Sequence, residues 1–380
     1  MIAEASCMQL TINVYLIPIR YALVTFPVLA FFFTLPFLIV QYRKYAYINK
    51  VRLVVLYSLL LYLLTAYYLV ILPLPATRHT CTGLQTTFIS LVPFQFIRDI
   101  VKETQVDLAN PLTYWRLFRE RAFLQAAFNV ALLVPLGIFL RYYFRRKAWV
   151  AVILAFLLSL FFETTQLTGL YGFYDCPYRL FDVDDIMLNT TGGIVGYMIA
   201  PYLTRFLPDS ARLDEQVDLS VKKIGFIRRW VAFQLDAFIL YPFVIAALFT
   251  GELFYLYFLL IMYFMLLPFM TNGRTFGKWV VRIQLQGKGN RIAFKELFVR
   301  YGILYMLIGG ANLLAVDVSQ WDASRLFKLF VLMMTIGIDL SFCIHVLLKV
   351  FRKDKTMFYE KWSGTRHVIV THYDRFRRGG

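Results

Sequence analysis

Histidine and cysteine are scarce in this chain of 380 residues, with four of each. His79, His345, His367 and His372 are dispersed, and no Cys/His spacing matches a zinc site. No Ser/His/Asp arrangement or nucleophile elbow stands out, which argues against the common hydrolase plans. Asp182-x-Asp184-Asp185 lacks the Gly and terminal Glu of an EF-hand loop. No cofactor or metal is therefore expected. Charged residues are also few, 17% against about 25% in an average globular protein. No repeat of solenoid period is found. The opening MIAEASCMQLTINVYLIPIR has neither a basic n-region nor a small-residue cleavage site, so no removable signal peptide is expected.

Apolar residues are what the chain has instead, 59% against roughly 45–50% in soluble domains. A soluble globular enzyme, a disordered chain and a small disulfide scaffold are thereby excluded. The composition predicts an all-α membrane protein, a polytopic helical bundle in contact with membrane lipids. A span needs about 20 apolar residues at a rise of about 1.5 Å each. Runs that meet or approach that length lie at 21–41, 53–74, 122–140, 148–166, 186–204, 230–250, 252–270, 299–316 and 327–348. They predict nine spans in two bundles, five and then four.

The net charge of +17 sits in short clusters between apolar runs, a pattern of membrane topology rather than of a nucleic-acid groove. Alternate connections hold 30 and 10 of the Lys and Arg residues. Basic loops stay in the cytoplasm, which predicts an extracytoplasmic N-terminus and a cytoplasmic C-terminus. The outer segment 75–121 mixes Phe94, Phe96 and Ile97 with charges before Tyr114, Trp115 and Phe118, and predicts one or two interfacial helices. The polar stretch 205–229, with Pro208, Asp209, Asp214 and Asp218, reads as a linker. The expected division is 1–207, a linker at 208–224, and 225–380 with a basic tail. A Cys81–Cys176 bond is compatible with this topology, but sequence alone does not decide it. The GxxxG from Gly192 to Gly196 fits close packing within the bundle.

Two polar constellations interrupt the apolar background. In the first half, Glu163 and Gln166 share one face of span four, since residues three apart are neighbours on a helix. A carboxylate there needs a partner. Arg179, Asp182, Asp184, Asp185 and Asn189 follow at the start of span five, and Asn129 lies on span three. These eight residues predict a polar pocket at the outer ends of three spans. Alternatively, Asp184 or Asp185 caps span five and Glu163 pairs with Arg179 as a staple.

In the second half, Arg229, Ala232 and Asp236 recur at helical spacing, with Arg274 and Lys278 as candidate partners for Asp236. Arg229 reads equally as a membrane anchor, and Asp236 as a buried pairing. Asp339 in span nine divides between structural pairing and a proton path. Gly273 to Lys278 reads GxxxGK but lacks one loop residue and the following Ser/Thr of a phosphate loop. The turn GKGN, Gly287 to Asn290, between VVRIQLQ and RIAFKEL predicts a short cytoplasmic hairpin followed by an interfacial helix.

Asn129 with Pro135-Leu-Gly137, Glu163 with Gln166, and Arg179 followed by Asp182, Asp184-Asp185 and Asn189-Thr-Thr-Gly-Gly resemble the VanZ family over roughly residues 15–204. ILPLPAT and LVPFQFI are similar to longer VanZ-like proteins of low-GC Gram-positive bacteria. The resemblance implies an integral protein of the bacterial cell envelope and membrane. The family's founding member lowers susceptibility to the lipoglycopeptide teicoplanin. Arg229, Ala232, Asp236, Gly273-Arg-Thr-Phe-Gly-Lys278 and a terminal YEKWSGT resemble the RDD family over about 225–370. Glu360 stands where that family usually has a second Asp. Some RDD proteins have been associated with cation/proton antiport. Three functions stay open: an envelope protein engaging a lipid-linked precursor or glycopeptide and modulating susceptibility, a proton-coupled cation transporter, and an enzyme acting on an envelope lipid. A non-enzymatic role is the first expectation.

Overall fold

The computed structural model describes residues 2–81, 88–107, 109–215, 217, 224–250, 258–320, 322, 324–352 and 356–370. The protein is an all-α polytopic membrane protein. Among the described residues seven helices are long and apolar enough to cross a membrane: Leu16–Tyr45, Lys50–Ile71, Arg121–Tyr142, Ala148–Leu167, Phe226–Ala247, Phe294–Val316 and Arg325–Lys349. The expected run at 186–204 does form a helix, Val183–Leu203, but Asp184, Asp185 and Asn189 dilute its apolar character. Residues 252–257 of the expected run at 252–270 lie outside the described residues, and the shorter apolar helix Phe258–Met270 represents the rest.

The chain forms two compact units, Met1–Phe33 with Asn49–Glu215, and Thr34–Ile48 with Gln216–Gly380. Helix α1 (Ile2–Tyr45) contributes to both. The first unit continues with α2 (Lys50–Ile71), α3 (Gln95–Glu103), α4 (Arg121–Tyr142), α5 (Ala148–Leu167), a short α6 (Gly169–Gly172) and α7 (Val183–Leu203). Leu133, Leu136, Leu140, Ala155 and Phe162 form its apolar core. Glycines bring α4 and α7 into backbone contact. A Cβ on Gly192 would stand 1.8 Å from Val130 O, and one on Gly196 2.0 Å from Val134 O. The GxxxG pair thus packs within the unit, as its spacing led one to expect.

Connections in the first unit are pinned rather than loose. Strand β1 (Ile89–Ser90) pairs in parallel with β2 (Phe181–Asp182), joining Ile89 to Phe181 and Ser90 to Asp182. A disulfide links Cys81 to Cys176, and Thr80 Oγ1 brackets it, accepting from Cys176 N and donating to Cys176 O. Among its described residues the segment 75–121 holds two short helical pieces, Gln95–Glu103 and Pro111–Arg119.

In the second unit α8 (Phe226–Thr250) packs against the short helix Phe276–Val280, where a Cβ on Gly277 would meet Ala232 O at 1.9 Å. That contact explains the glycine at 277. The expected hairpin takes another form. Strand β3 (Ile283–Gln286) pairs antiparallel with β4 (Arg366–Ile369), not with the residues after the GKGN turn. The Glu296 carboxylate accepts from Lys288 N and Ala293 N, so the turn closes onto the start of a helix, Phe294–Tyr301. Beyond it, and at Met262–Leu266, the backbone adopts π-helical turns, the longer over Gly302–Gly309.

Candidate functional site

The first constellation gathers around a cavity of about 300 Å³ in the first unit. Its lining includes Asn129 of α4, Glu163 and Gln166 of α5, Arg179 before β2, and Asp185 and Asn189 of α7. The i,i+3 pair on α5 and the i,i+4 pair on α7 each present one face to it. Asn129 donates from Nδ2 to Asp185 Oδ1. Glu163, only 2% exposed, accepts from Asp182 N at 3.0 Å. Asn189 donates from Nδ2 to Ser159 Oγ at 2.9 Å, while its Oδ1 has no hydrogen-bond partner among the described residues. That residue is 3% exposed. Buried acceptors are normally satisfied, and an exception calls for a ligand or water.

Arg179 does not staple Glu163. Its guanidinium donates to Val70 O and Leu72 O, both at 3.1 Å, and Gln166 Nε2 donates to Val70 O at 2.8 Å. A cation at the end of α2 also complements that helix's dipole. The remaining two acids lie outside the cavity lining. Asp182 caps α7 by accepting from Asp184 N at 3.0 Å. Burial pushes the Asp182 carboxyl above its ordinary value, against that hydrogen bond. Asp184, 2% exposed, accepts from Phe94 N at 2.7 Å and Phe96 N at 2.9 Å. It anchors the first turn of α3, a role that charge spacing alone does not distinguish from pocket lining.

The second constellation surrounds a larger cavity of about 560 Å³, with Arg229, Asp236 and Lys278 in its wall. Asp236 accepts from Tyr263 Oη at 2.7 Å, Thr275 Oγ1 at 2.6 Å and Gly277 N at 2.7 Å. Its expected cationic partners are engaged elsewhere. Arg274 donates to Gln284 Oε1, and Lys278 Nζ donates to Tyr301 Oη at 2.9 Å and Thr275 Oγ1 at 3.4 Å. Arg229 pairs with Glu360 at 2.9 Å, across 131 residues. Asp339 accepts from Asn312 Nδ2 at 3.0 Å, outside this cavity.

Sequence reasoning missed Arg300 and His367, which meet Glu360 at 3.4 and 2.9 Å. It also missed Arg228, whose guanidinium donates to Val281 O, Arg282 O and Ala46 O. Each stands in a short basic or mixed stretch, where a topological charge and a buried one look alike. Burial pushes the Glu360 carboxyl up, but the His367 hydrogen bond and the Arg300 and Arg229 charges outweigh it and hold the group below its ordinary value. Burial, reinforced by Arg300, pushes the His367 ring down to about 3, against the pull of Glu360. The imidazole is therefore neutral near pH 7 and serves as a hydrogen-bonding partner for the carboxylate.

A helical membrane protein with two units, each with its own cavity lined in part by charged residues, is the class these features define. The VanZ/LLP1 family model matches residues 59–205 and the RDD family model matches residues 224–364. The chain is a VanZ-like region fused to an RDD family region. Neither the curated proteins nor the solved structures yield a match.

Proposed function

We propose that the VanZ-like region is a binding site for a small polar head group of a cell-envelope component, and that occupancy of this site modulates susceptibility to teicoplanin-like glycopeptides. The carrying observation is Asn189, buried with an unsatisfied Oδ1 in a cavity that Glu163, Gln166, Asp185 and Asn129 also line. The volume of about 300 Å³ stands at the lower end of ligand pockets, roughly 300–1,000 Å³. It fits the head group of a lipid-linked precursor, or one terminal residue, and not a whole glycopeptide. Two carboxylates among amides favour a ligand that presents hydroxyl, amide or ammonium donors.

Two observations support an opening toward the extracytoplasmic side. The Lys and Arg bias of 30 to 10 assigns the connections around Arg179 to that side. A Cys81–Cys176 disulfide belongs in an oxidising compartment. For the transporter alternative, both oxygens of Asp236 accept hydrogen bonds from Tyr263, Thr275 and Gly277, and Asp339 accepts one from Asn312.

The test is expression in a teicoplanin-susceptible Gram-positive host. The wild-type chain should raise the inhibitory concentration, and Glu163→Gln and Asn189→Leu should abolish the rise at unchanged membrane levels. Full protection by both variants would reject the proposal.

A further inference from the structure

The cavity of the RDD region carries a charge imbalance that its own residues leave uncorrected. Three cations line it, Arg229, Lys278 and Arg300. Two carboxylates face them. Glu360 is shared between the two guanidiniums, and Asp236 is taken up by two hydroxyls and one backbone amide. Lys278 is 6% exposed, yet its ammonium meets the hydroxyls of Thr275 and Tyr301 and the Tyr301 ring, 5.6 Å from its centroid, and forms no ion pair among the described residues. Arg300, 3% exposed, keeps an Nε without an acceptor. Buried cations of this kind are expensive without an anion. The surplus is one positive charge, and the unmet need is for acceptors.

The exposed part of the lining has the opposite character. Trp230, Phe233 and Leu347 belong to it and are 42%, 48% and 59% exposed. They sit on helices apolar enough to span a membrane, so this part opens toward lipid. Phe264, Leu304 and Tyr305 come from the two π-helical stretches. Such turns widen a helix locally and recur at binding sites. A site with a cationic floor and an apolar mouth fits a molecule with one anionic group and a hydrocarbon tail. Basic pockets between membrane helices hold anionic lipid head groups by this chemistry.

We propose that this cavity binds an anionic phospholipid, with its phosphodiester on Lys278 and Arg300 and an acyl chain leaving past Phe233 and Leu347. A lipid is favoured over free phosphate by the apolar mouth, and a monoanion by the single surplus charge.

The experiment uses the full-length chain in mild detergent, read by native mass spectrometry and by thermal unfolding. The probes are phosphatidylglycerol, phosphatidylcholine and inorganic phosphate. Phosphatidylglycerol should be retained about tenfold better than phosphatidylcholine and should raise the unfolding temperature, the size expected for one charge-assisted contact. Lys278→Gln should remove that preference. Leu347→Trp, at an exposed position that leaves folding intact, should fill the mouth and lower retention of phosphatidylglycerol about tenfold, by loss of acyl-chain burial; should Lys278→Gln fail to fold, this variant decides alone. Equal retention of the two lipids by the wild type overturns the proposal, as does undiminished retention by Leu347→Trp. Protection by inorganic phosphate, with phosphatidylglycerol adding nothing, overturns it in favour of a free anion.

Discussion

Asp184 and Asp185 are adjacent in sequence and diverge in task, because one residue along an α-helix turns the side chain through about 100°. Asp185 faces the cavity and takes the Asn129 amide, whereas Asp184 holds Phe94 N and Phe96 N. Asp184→Ala should strip the first turn of α3 of two charge-assisted bonds, each worth about 1.5–3 kcal/mol. Hydrogen exchange over Gln95–Glu103 is then expected to rise at least tenfold, while the Asn129–Asp185 contact in the cavity is kept. Unchanged protection there would contradict the anchoring role. The Glu360 cluster makes a second residue-scale prediction. His367 titrates at about 3 when folded and near 6.5 when unfolded. The unfolded state therefore binds more protons between those values, and stability falls as pH drops below about 6.5. Glu360, also held below its ordinary 4.5, adds a further loss only below that pH. Unfolding temperatures of the solubilised chain should be lower at about pH 5 than at about pH 7.5, and His367→Gln should flatten the difference.

At the scale of elements, the α4–α7 seam is the most constrained contact. The Cβ introduced by Gly192→Ala or Gly196→Ala would collide with a backbone carbonyl, which cannot swing aside as a side chain does. Overpacking of this kind costs about 1–3 kcal/mol or more, and because Asn129 and Asn189 ride on these two helices, binding should weaken with stability. A thermal-unfolding comparison with Gly225→Ala, where a Cβ meets nothing within 4 Å, checks this. Much of this level was legible in advance. Glu163, Gln166 and Asn189 announce themselves because a polar group inside an apolar run must find company, and the glycines because their spacing repeats once per turn. The pairing of Arg229 with Glu360 was hidden, since nothing local connects residues 131 apart. The GKGN turn misled for a definable reason: its strand-like flank is diverted by Glu296, whose side chain satisfies the amides a second strand would have used.

For the molecule as a whole, the Cys81–Cys176 bond provides a topological marker independent of charge counting. In intact cells, mild reduction followed by a membrane-impermeant maleimide should label both thiols, and omission of the reductant should label neither. Labelling that requires permeabilised cells would contradict the proposed orientation and, with it, the proposed extracytoplasmic opening of the VanZ-like cavity. Apolar run lengths predicted the helical class securely because bilayer thickness imposes them. The span total was less secure, because Val183–Leu203 carries the cavity-lining Asp185 and Asn189 at the expense of its apolarity.

The β3–β4 ladder has a temporal consequence. Gln286 must wait for Arg366, made 80 residues later. During that interval the ribosome adds Arg300 and Glu360, and His367 follows Arg366 directly, so the ionic knot and the ladder close as neighbouring events. Synthesis of the RDD region thus ends with a latch, and until it engages, Arg229 is without the carboxylate that completes it.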